Sequence, residues 1–422
     1  MIRTVVWPPV ASHGDAVVTK RTSGPLRLDE DLLVACVSCG LCLPHCPTYR
    51  ATGEETASPR GRISLMRAIE FDGLEVDDTA VGFLEKCVMC RACETACPSG
   101  VQFGRLMEDS RSALAMSHRS APRWLRIALA LLPRHGLMLA GSSLMGVAQR
   151  LHLVPAMVGT RLGLPPRMAI RRERLEPAAT GVGNADAWLF TGCVMDAWQR
   201  DVHASALRVM QATGAKVALP GPGGSCCGAL HMHAGLTGGA SALAAKVMDA
   251  FPGDAPIVVD SAGCGAALQD YGHLLNTERA RMFSARVIDV CAWLALRLDQ
   301  LPAVTSAQRF ASTVAVQDPC HLRHVQRAHL PVRSVLGRYA DLVELDDEGR
   351  CCGAGGAYSI MQPELASVIR TAKVAVIGRT GAPVVASGNP GCSMWLSGAG
   401  LDVRHPVTII DEVLRRAGHV PG

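Results

Sequence analysis

Four cysteines crowd into eleven positions at Cys36, Cys39, Cys42 and Cys46, and Pro47 follows the last. The run reads C-x2-C-x2-C-x3-C-P. It recurs at Cys87, Cys90, Cys93 and Cys97, again with a proline, Pro98, behind it. Thiolates are soft ligands suited to iron, and this spacing is the one that holds cubane iron–sulfur clusters. Three cysteines so close can wrap one face of a cluster, while the fourth lies too far along the chain to close the same site and reaches its neighbour. The resulting assignment puts Cys36, Cys39, Cys42 and Cys97 on one [4Fe–4S] cluster, and Cys87, Cys90, Cys93 and Cys46 on the other. A structural zinc site uses two C-x2–4-C pairs or mixed Cys and His ligands, which leaves the third cysteine and the proline-ended fourth unexplained. Disulfides fit less well still. A chain of 422 residues can bury a core without staples, and its opening, MIRTVVWPPVASHGD, does not read as a signal peptide. Seventeen cysteines in such a chain point to metal ligands kept reduced in a cytosolic compartment.

Beyond about residue 185 the cysteines change style. Cys193 in FTGCVMD, Cys226 and Cys227 in GGSCCGALHMHAG, and Cys264 in VVDSAGCGAAL are followed by Cys320 in VAVQDPCHLRH, Cys351 and Cys352 in GRCCGAGGAYS, and Cys392 in VVASGNPGCSMWL. The intervals C-x32-CC-x36-C and C-x30-CC-x39-C argue a duplicated unit, and hence two similar lobes. AWLF, IVV, TVAV and PVV read as short buried strands, each leading into a Gly/Ser/Pro/Asp turn that holds a cysteine. Helical stretches follow, such as DAWQRDVHASALRVMQATG with its terminal glycine. Strand–helix alternation implies a largely parallel sheet, and ligands in such folds sit outside the carboxyl ends of the strands. The cysteines of each lobe are therefore expected to converge there as a metal or redox site. Cys291 lacks a counterpart in the other lobe and reads as core.

The elements that must position these residues make an α+β protein: an N-terminal helical two-cluster ferredoxin-like domain, then two repeated α/β cysteine-rich lobes. The expected organisation is an N-terminal arm (1–30), a two-cluster domain (31–115), a basic amphipathic helical connector (116–184), and lobes over 185–300 and 301–422. From Arg105 to Glu176 there are twelve arginines and four acids, which places +8 there and leaves −3 elsewhere, against a formal total of +5. No nucleic-acid motif or aromatic platform accompanies that basic patch, so nucleic acid is not the expected partner. The most apolar stretch of the connector is cut by Pro133, Arg134, His135 and Arg150, short of the roughly 20 residues a transmembrane helix needs. It reads as short amphipathic helices for core packing or partner docking, with peripheral membrane contact as the alternative.

The stretches CVSCGLCLPHCPTYRATGEETASPRGRISLMRA, CVMCRACETACPSG, CCGALHMHAG, SAGCGAALQDYG and CCGAGGAYS together resemble the iron–sulfur subunit of bacterial glycolate oxidase, a glycolate dehydrogenase complex. The resemblance implies two [4Fe–4S] clusters on the eight ferredoxin-type cysteines and FAD-binding partner subunits, one of which oxidises glycolate to glyoxylate. The second half also resembles the cysteine-rich subunit of heterodisulfide reductase, lactate-utilisation iron–sulfur proteins and the third subunit of anaerobic glycerol-3-phosphate dehydrogenase. The reductase supplies five cysteines per noncubane cluster and ends in C-x2-C, where this chain has Ser261 and Asn389 at the first position of that pair.

The function expected is an oxidoreductase subunit for electron transport from a flavin subunit toward a quinone or other membrane acceptor, cytoplasmic or peripheral on the inner face of the cytoplasmic membrane. GVGNAD and GAGGAY both fail the third glycine of a dinucleotide fingerprint, so no flavin or NAD site is expected on this chain and no catalytic residue is assigned. Further iron–sulfur clusters on Cys193, Cys226, Cys227 and Cys264, and on Cys320, Cys351, Cys352 and Cys392, are the cofactor reading of the lobes. Arg60 and Arg62 are candidates to touch cluster sulfurs or a partner, and His231, His233, His321 and His324 to tune potential or relay protons. The alternatives are a lactate or glycerol-3-phosphate dehydrogenase subunit, a heterodisulfide reductase-like thiol–disulfide enzyme, and a zinc-stabilised scaffold.

Overall fold

The computed structural model describes residues 20–117, 119–154, 168–170, 173–177, 185–221 and 224–421. Most of the expected N-terminal arm and part of the connector therefore lie outside the described residues. The first unit is helical. Its helix Pro59–Phe71 starts with Ser58, whose side chain accepts from the Gly61 N–H, and with a proline in the first turn. Ile63, Met66 and Ile69 on that helix pack with Leu33, Leu84 and Leu106 from neighbouring segments. Glu70 accepts from the Leu26 and Leu28 N–H groups and so anchors the incoming chain.

Each lobe is a four-stranded, all-parallel sheet. The first contains β1 (Ala187–Phe190), β2 (Val217–Ala218), β3 (Ile257–Val259) and β4 (Val287–Asp289), in the order β2-β1-β3-β4. The second contains β5 (Val314–Val316), β6 (Leu342–Glu344), β7 (Val384–Ala386) and β8 (Asp402–Arg404), in the order β6-β5-β7-β8. Chain order and strand order thus repeat together, and the duplication inferred from the cysteines is a duplication of topology. The central strands β1, β3, β5 and β7 are buried at every residue, as both faces of a parallel sheet covered by helices require.

The lobes share one core. Helix Arg200–Gln211, after β1, packs on helix Pro406–Arg416, after β8, while helix Val290–Ala295, after β4, packs on helix Leu330–Leu336, which precedes β6. The first strand's helix of one lobe meets the last strand's helix of the other, and the reverse also holds, as in a two-fold dimer fused into one chain. Arg208 and Ser205 both donate to Asp411 across this seam. Near the strand ends, the Ala262 N–H donates to the Gly388 carbonyl at 3.0 Å and the Gly263 N–H to Asn389 Oδ1 at 2.9 Å.

Two local expectations change. DAWQRDVHASALRVMQATG does not form one helix: it breaks at Gln199 (φ −138°) into Val194–Trp198 and Arg200–Gln211, which turns the chain from the cysteine loop onto the sheet face. Cys264 and Cys392 lie inside the first turns of helices Ala262–Gln269 and Pro390–Ser397, not in the turns ahead of them. Cys291 is buried in the shared core, as its apolar context implies.

In the second lobe, the loop that leads to the paired cysteines is pinned by a buried ion pair, Lys373–Asp347, whose carboxylate also accepts from the Gly349 N–H. Replacing Lys373 by alanine leaves that carboxylate buried and unpaired, a loss of roughly 3–5 kcal/mol. Lys373→Ala is therefore expected to lower the denaturant midpoint of the whole chain, with the second-lobe cysteines becoming reactive to thiol reagents first. A midpoint within error of wild type would show that the pair does not hold the loop.

Candidate iron–sulfur centres

The two ferredoxin-type runs adopt the same unusual backbone. Ser38 and Gly40 have φ of +57° and +83°, and the equivalent Met89 and Arg91 have +61° and +61°. Three of these four are not glycine, and strain of this kind persists only where the surroundings impose it. Alternation into the left-handed region curls each loop, and in the second the Met89 N–H donates to Cys87 Sγ at 3.4 Å, a geometry that favours anions.

The structure divides these cysteines by space, not by chain order. One concave site is lined by Cys36, Cys39, Cys42 and Cys97, and also by Cys93. A second is lined by Cys46, Cys87, Cys90 and Cys93. Cys97 thus leaves its own run to join the first site, and Cys46 joins the second. Cys39 is exposed, whereas all four cysteines of the second site are buried.

The residues around these sites fit an anionic cluster. Arg62 is 1% exposed and lines the second site. It donates to the carbonyls of Phe83 and Ala57, yet its Nη2 is buried without a hydrogen-bond partner. A guanidinium nitrogen orphaned beside four thiols offers a charge-assisted hydrogen bond to a sulfur. Arg60 is held by Glu55 and reaches the Ser38 carbonyl at 3.2 Å, on the rim of the first site. Among the described residues no group of His, Cys, Asp or Glu could hold a single metal ion.

In both lobes the cysteines meet beyond the carboxyl ends of the strands. The paired cysteines occupy the loop after the second strand, and the glycine behind them is left-handed: Gly228 at φ +79° and Gly353 at +89°. A Cβ on Gly353 would stand 2.7 Å from the Ala366 carbonyl oxygen, so this corner needs glycine in both copies for the turn and in the second for space. Contacts then pair off in the same order twice. Cys193 donates to Cys226 and Cys227 to Cys264, which raises the donors' pKa values and lowers the acceptors'. In the second lobe Cys320 and Cys352 both donate to Cys351, holding it well below the ordinary thiol value, and Cys352 lies 3.2 Å from Cys392.

The positions where a fifth cysteine would stand are occupied by donors. Ser261 hydrogen-bonds Cys264, and Asn389 Nδ2 lies 3.5 Å from Cys392 Sγ. Spacing holds this signal, since both residues precede their cysteine by three positions, but a count of missing thiols alone passes over it.

One contact was not legible at all. Cys90 hydrogen-bonds Cys351, so the second ferredoxin-type site and the second lobe touch thiol to thiol. Val88, Cys90 and Ala92 lie in one buried cluster with Cys351, Cys352 and Cys392. The histidines help to seat this wedge: His321 Nε2 lies 3.1 Å from the Met89 carbonyl oxygen, and His324 Nδ1 lies 2.6 Å from Thr95 Oγ1. His233 stacks obliquely on His321 at 5.6 Å, and Arg111 ties its carbonyl and that of Cys87 together. His231 sits buried on the same short helix as His233.

Where the helical domain meets both lobes, a cavity is lined by Arg91 and Glu108 from the former, Cys227, His233 and Asp270 from the first lobe, and His321 from the second. Burial, and then the Asp270 charge, push Glu108 up to about 8 despite Arg91. Burial raises Asp270 as well, and loss of hydration drives His233 down to about 3. No sequence pattern singles out Glu108, because its partners come from another domain.

Comparison with known proteins matches a 4Fe-4S dicluster domain over residues 33–101 and a cysteine-rich domain twice, over 187–269 and 314–397. A probable glycolate oxidase iron-sulfur subunit of Bacillus subtilis is 33% identical, over 93% of this chain and 96% of its own. The glycolate oxidase iron-sulfur subunit of Escherichia coli is 30% identical, over 92% and 95%. A subunit of the dihydromethanophenazine:CoB–CoM heterodisulfide reductase of Methanosarcina barkeri is 27% identical, over 98% and 99%.

The Glu108 environment sets a pH dependence. In the unfolded chain the carboxyl ionises near 4.5, while the folded protein keeps its proton to about 8. Between those values the native state binds the extra proton, so stability falls as pH rises, by up to a few kcal/mol. Glu108→Gln is expected to flatten this fall: its melting temperature should gain on wild type from pH 5 to pH 9. Parallel curves would mean that Glu108 is ionised in the folded protein.

Proposed function

Because the chain belongs to the family of the glycolate oxidase iron–sulfur subunit, we propose that it is the electron-carrying subunit of a complex in which a separate FAD-binding subunit oxidises glycolate to glyoxylate. The electrons leave toward a quinone or another membrane acceptor. Cys36, Cys39, Cys42 and Cys97 hold one [4Fe–4S] cluster, and Cys46, Cys87, Cys90 and Cys93 hold the other. Such clusters, when bound, accept and release one electron at a time, which a flavin that has taken a two-electron hydride requires. The four cysteines of each lobe are proposed as ligands of further clusters.

The observation that supports this reading most is the run of thiols from the surface inward. Cys39 is exposed, with Val37 and Leu41 exposed beside it, so the first site is where a flavin subunit can approach. Cys93 borders both ferredoxin-type sites, and the Cys90–Cys351 contact joins the second to a lobe. The order is therefore first site, second site, second lobe. Arg62 supplies positive charge to the buried second site, and Ser261 and Asn389 donate to Cys264 and Cys392. All three favour the more negative, reduced state and so raise the potential of what these thiols hold.

A second reading, reduction of a small disulfide at the lobes, draws on the likeness to the heterodisulfide reductase subunit. Donors in place of the fifth thiols count against it. A lactate or glycerol-3-phosphate dehydrogenase complex would use this chain in the same way with a different flavin partner.

The test uses the purified complex with Cys39→Ser and Cys90→Ser, following flavin re-oxidation by a soluble quinone analogue after a pulse of glycolate. Both variants are expected to slow re-oxidation at least about tenfold while leaving flavin reduction unchanged, and anaerobic wild type should be brown and bleach with dithionite. Re-oxidation at the wild-type rate in either variant, or colourless protein without iron and sulfide, would overturn the proposal.

A further inference from the structure

The connector contains two helices, Arg123–Leu131 and His135–Arg150, bent by 103° relative to each other. Neither is long and apolar enough to cross a bilayer, and the bend prevents a continuous rod. The longer helix has its amphipathicity inverted. On the longer helix the small and polar residues face the protein: Ser142 accepts from Trp198 Nε1 at 2.9 Å, and Gly146 lies so close to the Met168 carbonyl that a Cβ would stand 2.8 Å from it. Leu137, Leu144 and Val147 on that helix, and Leu151 just after it, face outward, Leu144 being 71% exposed. The shorter helix is held by Leu125 and Leu129 and presents Trp124, Ile127 and Leu131 to the outside. An apolar stripe at helical spacing normally marks the face turned to the core. Here the longer helix turns such a stripe away and the shorter is apolar on both sides, and large exposed apolar patches mark an interaction surface.

Charge decides what that partner is. From Ser110 through Arg172 the sequence contains neither Asp nor Glu. Arg123, Arg134 and Arg150 are exposed at the helix ends, and Trp124 lies beside the first. Apolar side chains outward, arginines at the margins, a tryptophan at the boundary and no acid on either helix describe a helix pair that lies in the interface of an anionic membrane. The second helix is also tied firmly to the first lobe, since His135 Nε2 lies 3.1 Å from Asp196 Oδ2 and Arg200 also pairs with that carboxylate.

We propose that residues 123–153 form a monotopic membrane-docking surface, in which Trp124, Ile127, Leu131, Leu137, Leu144 and Val147 enter the headgroup–acyl boundary of an anionic phospholipid bilayer while Arg123, Arg134 and Arg150 engage lipid phosphates. The proposal rests on this surface alone and is independent of how the cysteine sites conduct electrons.

The experiment is co-sedimentation of the full chain with vesicles of phosphatidylcholine alone and of equimolar phosphatidylcholine and phosphatidylglycerol. Wild type is expected to sediment with the anionic vesicles, less so at high salt, and Ile127→Gln/Leu144→Gln to lose at least about tenfold in partitioning. Arg123→Gln/Arg134→Gln should bind weakly and lose the salt dependence. Because every substituted side chain is on the surface, unchanged melting and circular dichroism serve as the folding control. Bromine-labelled lipid should quench wild-type fluorescence more than that of Trp124→Phe. Failure of wild type to bind anionic vesicles would overturn the proposal. So would binding that the Ile127/Leu144 variant retains in full, or a concentration-dependent dimer abolished by that variant in a protein that ignores vesicles.

Discussion

Sixteen of the seventeen cysteines stand beside other cysteines, and thiolates in such company repel one another. Without a cation to bind, a buried group of four has no counter-charge for its thiolates, and the protein would gain nothing from gathering them. Much of the architecture can be understood as the apparatus that enforces this crowding. It includes left-handed residues inside the two ferredoxin-type loops, a left-handed glycine behind each cysteine pair, and helix starts that present the last thiol of each lobe. Arg62 beside the second site and the donors Ser261 and Asn389 offset the accumulated negative charge from outside the sulfur shell.

The duplicated lobes solve a packing problem as well as a chemical one. Each sheet is too small to cover both of its faces alone, and the two-fold exchange of helices lets one apolar core serve both. Polar groups at the seam are buried with partners, as Arg208, Ser205 and Asp411 illustrate, so the lobes are fixed in angle and not merely in contact. Against this rigid pair the helical domain docks through backbone carbonyls of its second cysteine loop, and loop and lobe become one buried cluster.

What could be read from the chain, and what could not, follows from the range of the interactions. The ferredoxin-type cysteines, the repeat and the central strands were legible because ligand spacing and continuous apolar runs are local properties. The edge strands β2, β4, β6 and β8 were not, because β4, β6 and β8 mix charged with apolar residues and β2 is only two residues long. The break at Gln199 belongs to the same class: helical periodicity continues through it, and only the need to turn onto the sheet interrupts it. The Cys90–Cys351 contact and the Glu108–Asp270 cavity join residues more than 150 positions apart, where no spacing rule applies. The orientation of the connector's apolar side was not legible for another reason. Periodicity reports that a helix has an apolar side and leaves open which phase that side meets.

Wedging the helical domain against the pair has a further outcome. Internal duplication starts with two equal halves, yet here a single loop, residues 88–92, is absorbed by the later half while the earlier half meets its neighbour through Arg111 and His233. The twins are thereby placed in unequal surroundings, and a substitution harmless in one copy has no reason to be harmless in its twin.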